Sequence, residues 1–177
     1  MFSAKMFSLI LPAPGTRQTN CAQVHRGRIM RINKLLQTVT RLFLDTAPVI
    51  YYAEKDVRYL SVVDTIFDYL DSGRMQAVTS PVTLAECLGV PYRLSQATPQ
   101  QVFSDIIING TNVIFACIDD NTATVAAELR ARYNISLTAA LQVAVALQND
   151  CEAFLTNDMT LNRITELNIL VLSELES

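Results

Sequence analysis

The stretch from Ser136 to Asp158, Ser-Leu-Thr-Ala-Ala-Leu-Gln-Val-Ala-Val-Ala-Leu-Gln-Asn-Asp-Cys-Glu-Ala-Phe-Leu-Thr-Asn-Asp, constrains the fold more than any other. From Leu137 to Leu147 only Thr138 and Gln142 interrupt the apolar run, so a helix here must be buried on most sides. Ser136 is placed to cap it, its hydroxyl accepting from an amide two or three residues on. After Asn149 and Asp150, Cys151 to Leu155 is short, apolar and bounded by turn residues, the pattern of a central parallel strand. Thr156-Asn157-Asp158 then sets a carboxylate just past the strand's carboxyl end, the edge where open α/β sheets bind ligands.

Upstream, the same alternation repeats. Leu42-Phe43-Leu44 reads as a strand ending in Asp45, followed by Thr46 as a helix cap and Pro48 in the first turn of a helix through Ile50-Tyr51-Tyr52-Ala53-Glu54. Asp45 either binds a ligand there or helps to cap this helix. Asp56 to Leu70 carries a helical stripe of Val57, Leu60, Val63, Ile66, Phe67 and Leu70, with Gly73 suited to its end. Gln76 to Thr79 reads as the second strand. Ser80-Pro81 opens a helix containing Val82 to Leu88 and ended by Pro91-Tyr92-Arg93. Glu86 sits among apolar neighbours, where an unpaired carboxylate is costly, so it calls for a metal or a basic partner such as Arg93.

Thr98-Pro99 caps the next predicted helix, which runs to about Asn109 with Gly110 behind it. Val113 to Ile118 reads as the third strand. Asp119-Asp120-Asn121 supplies cap residues for a helix from Thr122 to Tyr133, ended at Asn134; spare metal ligands are the other reading of these acids. After Asp158 a helix to about Leu167, a fifth strand from Ile169 to Leu172 and a short acidic tail complete the chain. Strands alternating with helices predict an α/β fold, a three-layer α/β/α sandwich around a central parallel sheet of about five strands.

Three segments, Leu44-Asp45-Thr46, Leu84-Ala85-Glu86 and Leu155-Thr156-Asn157-Asp158, together with Ala139-Ala140-Leu141, resemble the PIN domain family, the nuclease fold of VapC-type toxins from bacterial toxin–antitoxin pairs. The resemblance covers about residues 42 to 172. It implies a magnesium- or manganese-dependent endoribonuclease in which Asp45, Glu86 and Asp158 are the catalytic and metal-binding acids, supported by Thr46, Thr156 and Asn157. It also implies an RNA substrate, an antitoxin protein as partner and a homodimer. The family's helix opens with Asp-Ala-Leu, so the position of its further metal-binding Asp is Ala139 here. That departure leaves two expectations open: a ribonuclease weakened by the loss of one ligand, or a non-catalytic PIN-like module that binds an antitoxin-type partner or RNA.

Charge and composition bound the alternatives. Half of the 177 residues are apolar, enough for a single domain with a sizeable core. No run approaches the roughly 18–20 apolar residues that cross a bilayer, and the chain reads as cytoplasmic, with no membrane contact. Residues 1 to 41 carry seven Lys and Arg and no acid, whereas residues 42 to 177 carry seven basic and all seventeen acidic residues. The domain's overall field therefore does not attract nucleic acid. Residues 1 to about 30 have no sustained period and read as an irregular leader before a single PIN-like domain at 31–177. The leader is either a targeting segment or the result of a start set too early, with Met30 as the alternative start. A chain beginning at Met30 is expected to melt within a few degrees of the full chain. Cys21, Cys87, Cys117 and Cys151 lack paired spacing and His25 is the only histidine, which argues against zinc, disulfides or a Ser/His or Cys/His triad. The five glycines form no phosphate loop.

Overall fold

Successive side chains of a strand point to opposite faces of a sheet, and the apolar strands of this chain use both. Leu42 and Leu44, Ala77, and Ala153 and Leu155 enter one core, while Phe43, Val78 and Phe154 enter a second core on the other face. The computed structural model describes residues 32–175. Five strands, β1 (Arg41–Leu44), β2 (Gln76–Thr79), β3 (Val113–Phe115), β4 (Ala153–Thr156) and β5 (Asn168–Val171), form one sheet in the order β3-β2-β1-β4-β5, with every pairing parallel. The three-layer arrangement expected from the sequence is the one observed.

Helices α1 (Thr46–Glu54), α2 (Leu60–Asp71), α3 (Pro81–Arg93) and α4 (Ala97–Ile108) cover the first face, contributing Val49, Val62, Ile66, Cys87 and Ile107 to its core. A helical turn at residues 32–36 adds Ile32 and Leu36. Helices α5 (Asp120–Tyr133) and α6 (Leu137–Gln148) cover the second face. There Phe43 and Phe154 stack with ring centroids 4.8 Å apart, which locks β1 to β4 at the centre of the sheet. Among the described residues no helix is long and apolar enough to cross a membrane.

Helix α6 justifies its weight in the sequence. Ala140 and every residue from Gln142 to Ala146 are buried, and the Ser136 hydroxyl accepts from the Ala139 amide at 3.1 Å. Removing that cap with Ser136→Ala is expected to cost about 1 kcal/mol in a urea-unfolding measurement, the usual worth of an N-cap oxygen.

Several boundaries differ from the sequence expectations, each for a local reason. The helix expected from Asp56 begins at Leu60. Lys55 ends α1 in the left-handed region, Asp56 builds the turn by accepting from the Arg58 amide, and Val57 is 89% exposed while Val62 takes its place in the core. Helix α3 ends at Arg93 as expected, with Pro91 buried in its last turn. Helix α4 starts at Ala97 behind Gln96, which makes no side-chain cap, so Thr98 and Pro99 fall in the first turn, where a missing proline N–H costs nothing. Strand β3, at one edge of the sheet, is only three residues long, and residues 116–118 of the expected strand lie beyond it. Gly110 behind α4 is required by space: a Cβ there would stand 2.6 Å from the Ile106 carbonyl oxygen.

After Asp158 only a 3₁₀ turn (Met159–Arg163) forms instead of a helix to Leu167, and the chain closes with a short helix, α7 (Leu172–Leu175), instead of a tail. Asp119 caps α5 in a reciprocal box with Thr122, which settles its role as a cap. The expectations for residues 1 to about 30 lie outside the described residues.

Candidate active site at the switch point of the sheet

In the order β3-β2-β1-β4-β5 the chain winds one way from β1 and the other way from β4. The carboxyl ends of these two neighbouring strands therefore flank the topological switch point, the crevice where sheets of this kind bind ligands. Asp45 follows β1 and Asp158 follows β4. The ladder continues into the site, since the Asp45 amide donates to the Leu155 carbonyl at 3.1 Å.

Asp45 is held from two sides. Its Oδ1 accepts from the Thr46 amide at 2.7 Å, making Asp45 and not Thr46 the cap of α1, and its Oδ2 accepts from the Thr156 hydroxyl at 2.6 Å. Burial pushes the Asp45 carboxyl up from the ordinary carboxylate range, against the two hydrogen bonds; the charge of Glu86 pushes the same way. Because the cap is Asp45, the Thr46 hydroxyl is left over, and it donates to Glu86 Oε2 at 2.5 Å. Thr156, fully buried, also takes the Asp158 amide at 2.9 Å, so one hydroxyl ties both aspartates to the end of β4.

Asp158 is exposed and caps the 3₁₀ turn, accepting from the Thr160 amide. Asn157 donates to the hydroxyls of Tyr51 and Tyr59 and accepts from the Ser173 amide, which fixes the loop between the aspartate and α7.

Asp45, Thr46, Glu86, Ala139, Asn157 and Asp158 all line one open pocket of about 540 Å³, within the range of ligand sites. Ala139, half-buried, thus lines the pocket that holds the three acids. The sequence argument for Glu86 is corrected on one point: its side chain is exposed, not turned into apolar surroundings, and the only ion pairs among the described residues are Lys55–Asp64, Arg58–Asp56 and Arg132–Glu166. No bridge to Arg93 explains it. Among the described residues no three His, Cys, Asp or Glu side chains close into a ready metal-holding group. The three carboxylates share a pocket without meeting at a point.

Two members of the site were not singled out from the sequence as functional. Gln142, only 3% exposed, also lines the pocket, and Thr83, fully buried, lies behind it. The signal was present: Gln142 is one of two polar breaks in an apolar helix, and a buried amide requires partners.

The thiols are inert or remote. Burial pushes Cys87, beside Glu86, up to about 12, and the nearby carboxylates add to the effect; burial does the same to Cys151. Cys117, by contrast, is exposed, and Cys21 lies outside the described residues. Iodoacetamide at pH 8 is expected to alkylate Cys117 in the folded protein and to spare Cys87 and Cys151, as peptide mass mapping would show.

Comparison with known proteins agrees with this fold. The family model of the PIN domain matches residues 42–167. No curated protein matches the chain in sequence. Among solved structures, the fold is similar to that of VapBC2 from Rickettsia felis bound to a DNA fragment from its promoter, with a TM-score of 0.58 and 16% identity over 74% of this chain and 98% of that one. It is likewise similar to VapC20 of Mycobacterium tuberculosis, a sarcin-ricin loop cleaving toxin, with a TM-score of 0.56 and 16% identity over 72% of this chain and 98% of that one. A toxin–antitoxin complex from Klebsiella pneumoniae gives a TM-score of 0.55 and 15% identity over 74% and 97% of the two chains.

Proposed function

The chain belongs to the PIN domain family, and from that premise we propose that it is a metal-dependent endoribonuclease of the toxin type, with Asp45, Glu86 and Asp158 as its acidic centre. The observation that carries the reading is the convergence of Asp45 and Asp158 at the switch point, with Glu86 lining the same pocket.

The donor set fits a hard divalent cation, magnesium or manganese, which takes oxygen ligands and keeps several waters. Asp45 supplies the argument from physics. A carboxylate that is desolvated and repelled by a neighbouring acid gains from a positive charge placed beside it. Asp45, Glu86 and Asp158 would hold the ion, with water completing the shell where the family has an acid and this chain has Ala139. When bound, the ion supplies Lewis acidity and lowers the pKa of a water for attack on a phosphodiester.

The residues do the rest. Thr156 and the Thr46 amide favour the charged form of Asp45 and fix its carboxylate, the Thr46 hydroxyl holds Glu86 at the pocket, and Asn157 braces the loop that carries Asp158. Without the ion, the pocket's negative charge repels phosphate, so RNA engagement depends on the metal.

Purified protein is expected to cleave RNA with magnesium or manganese and to lose that activity in EDTA. Metal-independent cleavage would overturn the reading. Ala139 favours a second reading, a PIN-like module that binds an antitoxin-type protein or RNA without cutting; in that case no metal restores cleavage while a partner still binds. The complexes among the structural neighbours support a protein partner under either reading, and self-association as a homodimer belongs to the same proposal.

A further inference from the structure

Gln142 carries a role that the acidic centre alone does not assign. It sits in the third helical position after Ala139, on α6; its amide nitrogen reaches two hydroxyls, Thr46 Oγ1 at 3.4 Å and Thr83 Oγ1 at 3.3 Å, and its side chain also hydrogen-bonds the Asp45 carboxylate, favouring the charged form. The partners fix which end of the amide faces them. The Thr46 hydroxyl donates to Glu86 Oε2, so its one proton is spent there and its oxygen faces Gln142. The Thr83 hydroxyl likewise donates to the Leu44 carbonyl, which can only accept, and so also presents its oxygen. Both oxygens therefore demand the NH₂ end of Gln142.

We infer that Gln142 is a positioning residue: by donating to Thr46 it directs the Thr46 proton at Glu86 and so holds that exposed carboxylate at the pocket beside Asp45. The chain of donors runs from Gln142 to Thr46 to Glu86, from the buried floor of the site to its exposed rim. Glu86 has no ion pair among the described residues and no burial to confine it, so its placement rests on this one hydroxyl, and the hydroxyl's direction rests on the amide. Thr83, bonded to the end of β1 through Leu44, anchors the amide in turn. An apolar residue of the same shape at position 142 would leave Thr46 free to turn its proton elsewhere.

The consequence for metal binding rests on the proposed nuclease reading; the orientation of Glu86 does not, and the test separates them. In metal-free protein, three-bond NMR couplings of Glu86 report whether its χ1 occupies one rotamer or several. Wild type is expected to show one rotamer, and Gln142→Met, which keeps volume and helix propensity, is expected to show averaging. Thr46→Val should give the same averaging, and the double variant should be no worse than Thr46→Val alone, because the two residues act in series. If Gln142→Met does not fold, Gln142→Ala serves in its place, since Gln142 lines the open pocket and the space it vacates adds to it.

In the manganese-loaded protein, the loss of an orienting partner is expected to weaken metal affinity or kcat by ~10–100-fold while KM for RNA holds. A single Glu86 rotamer in the Gln142 variants, or losses that add in the double variant, would overturn the inference. If wild type neither binds manganese nor cuts RNA, the nuclease reading fails, and the couplings still decide the role of Gln142.

Discussion

Asp45→Asn is expected to abolish RNA cleavage and to leave manganese binding undetectable, while the metal-free domain melts higher than wild type at neutral pH. The two effects have one cause. Desolvation by burial raises the Asp45 carboxyl, and the Glu86 charge raises it further, against the hydrogen bonds from Thr156 and Thr46. A carboxyl whose folded pKa lies above its unfolded value contributes stability that is fully present below the unfolded pKa and is lost as pH rises through the folded pKa. The wild type therefore loses stability as the pH rises through the folded pKa of Asp45.

Asparagine is permanently neutral and caps a helix as well as aspartate does, so it keeps the bond to the Thr46 amide and removes the charge. The gain should appear as a raised melting midpoint, about 2–4 °C for each kcal/mol in a domain of this size. It should shrink as the pH is lowered through the folded pKa of Asp45, where the wild type becomes neutral too. A midpoint difference that grows on acidification, measured by thermal scans in EDTA, would contradict the assignment of Asp45 as a charge stored at the site at the expense of stability.

Ala139→Asp is expected to do the reverse, raising manganese affinity by about tenfold or more, ~1.4 kcal/mol for each decade, and raising cleavage with it. Ala139 lines the acidic pocket and lies in the first turn of α6, where Ser136 already accepts from its amide. An aspartate there would add a fourth carboxylate to a centre whose affinity depends on ligand charge. It would also meet the positive end of the helix, worth about 0.3–1 kcal/mol. Repulsion from Asp45 and Glu86 opposes this in the metal-free state. The variant should therefore melt near or below wild type in EDTA and rise above it with manganese, since an ion that binds only the folded state stabilises by mass action. Unchanged affinity and cleavage would mean that position 139 is only a packing position and that the missing acid does not limit this site.

Much of this architecture was legible because strands and buried helices leave strong marks. The strands of Phe43 and Phe154 read as short apolar runs, and α6 announced itself by an apolar run too long for one face. The short motifs ending in Asp45 and Asp158 marked the carboxyl edge of the sheet for the same reason: they sit where apolar residues stop. What misled was local. The Val57 to Leu70 stripe fits a helix by period alone, yet the Asp56 turn uses Val57 at the surface, and nothing in the period distinguishes Val57 from Val62. Glu86 was placed in apolar surroundings because its neighbours in sequence are apolar, but a helix turns every third or fourth residue outward, and Glu86 faces out. The Gln142 network could not be traced from sequence, since its partners Thr46 and Thr83 come from elements that only the fold brings together.

The central claim, that Asp45, Glu86 and Asp158 form a divalent-cation site depleted by one ligand, is tested most directly by calorimetric titration of manganese into wild type, Asp45→Asn and Ala139→Asp. The account predicts one weak site in wild type, none in Asp45→Asn and one tighter site in Ala139→Asp. Equal affinity in all three proteins would place any bound ion elsewhere and contradict it.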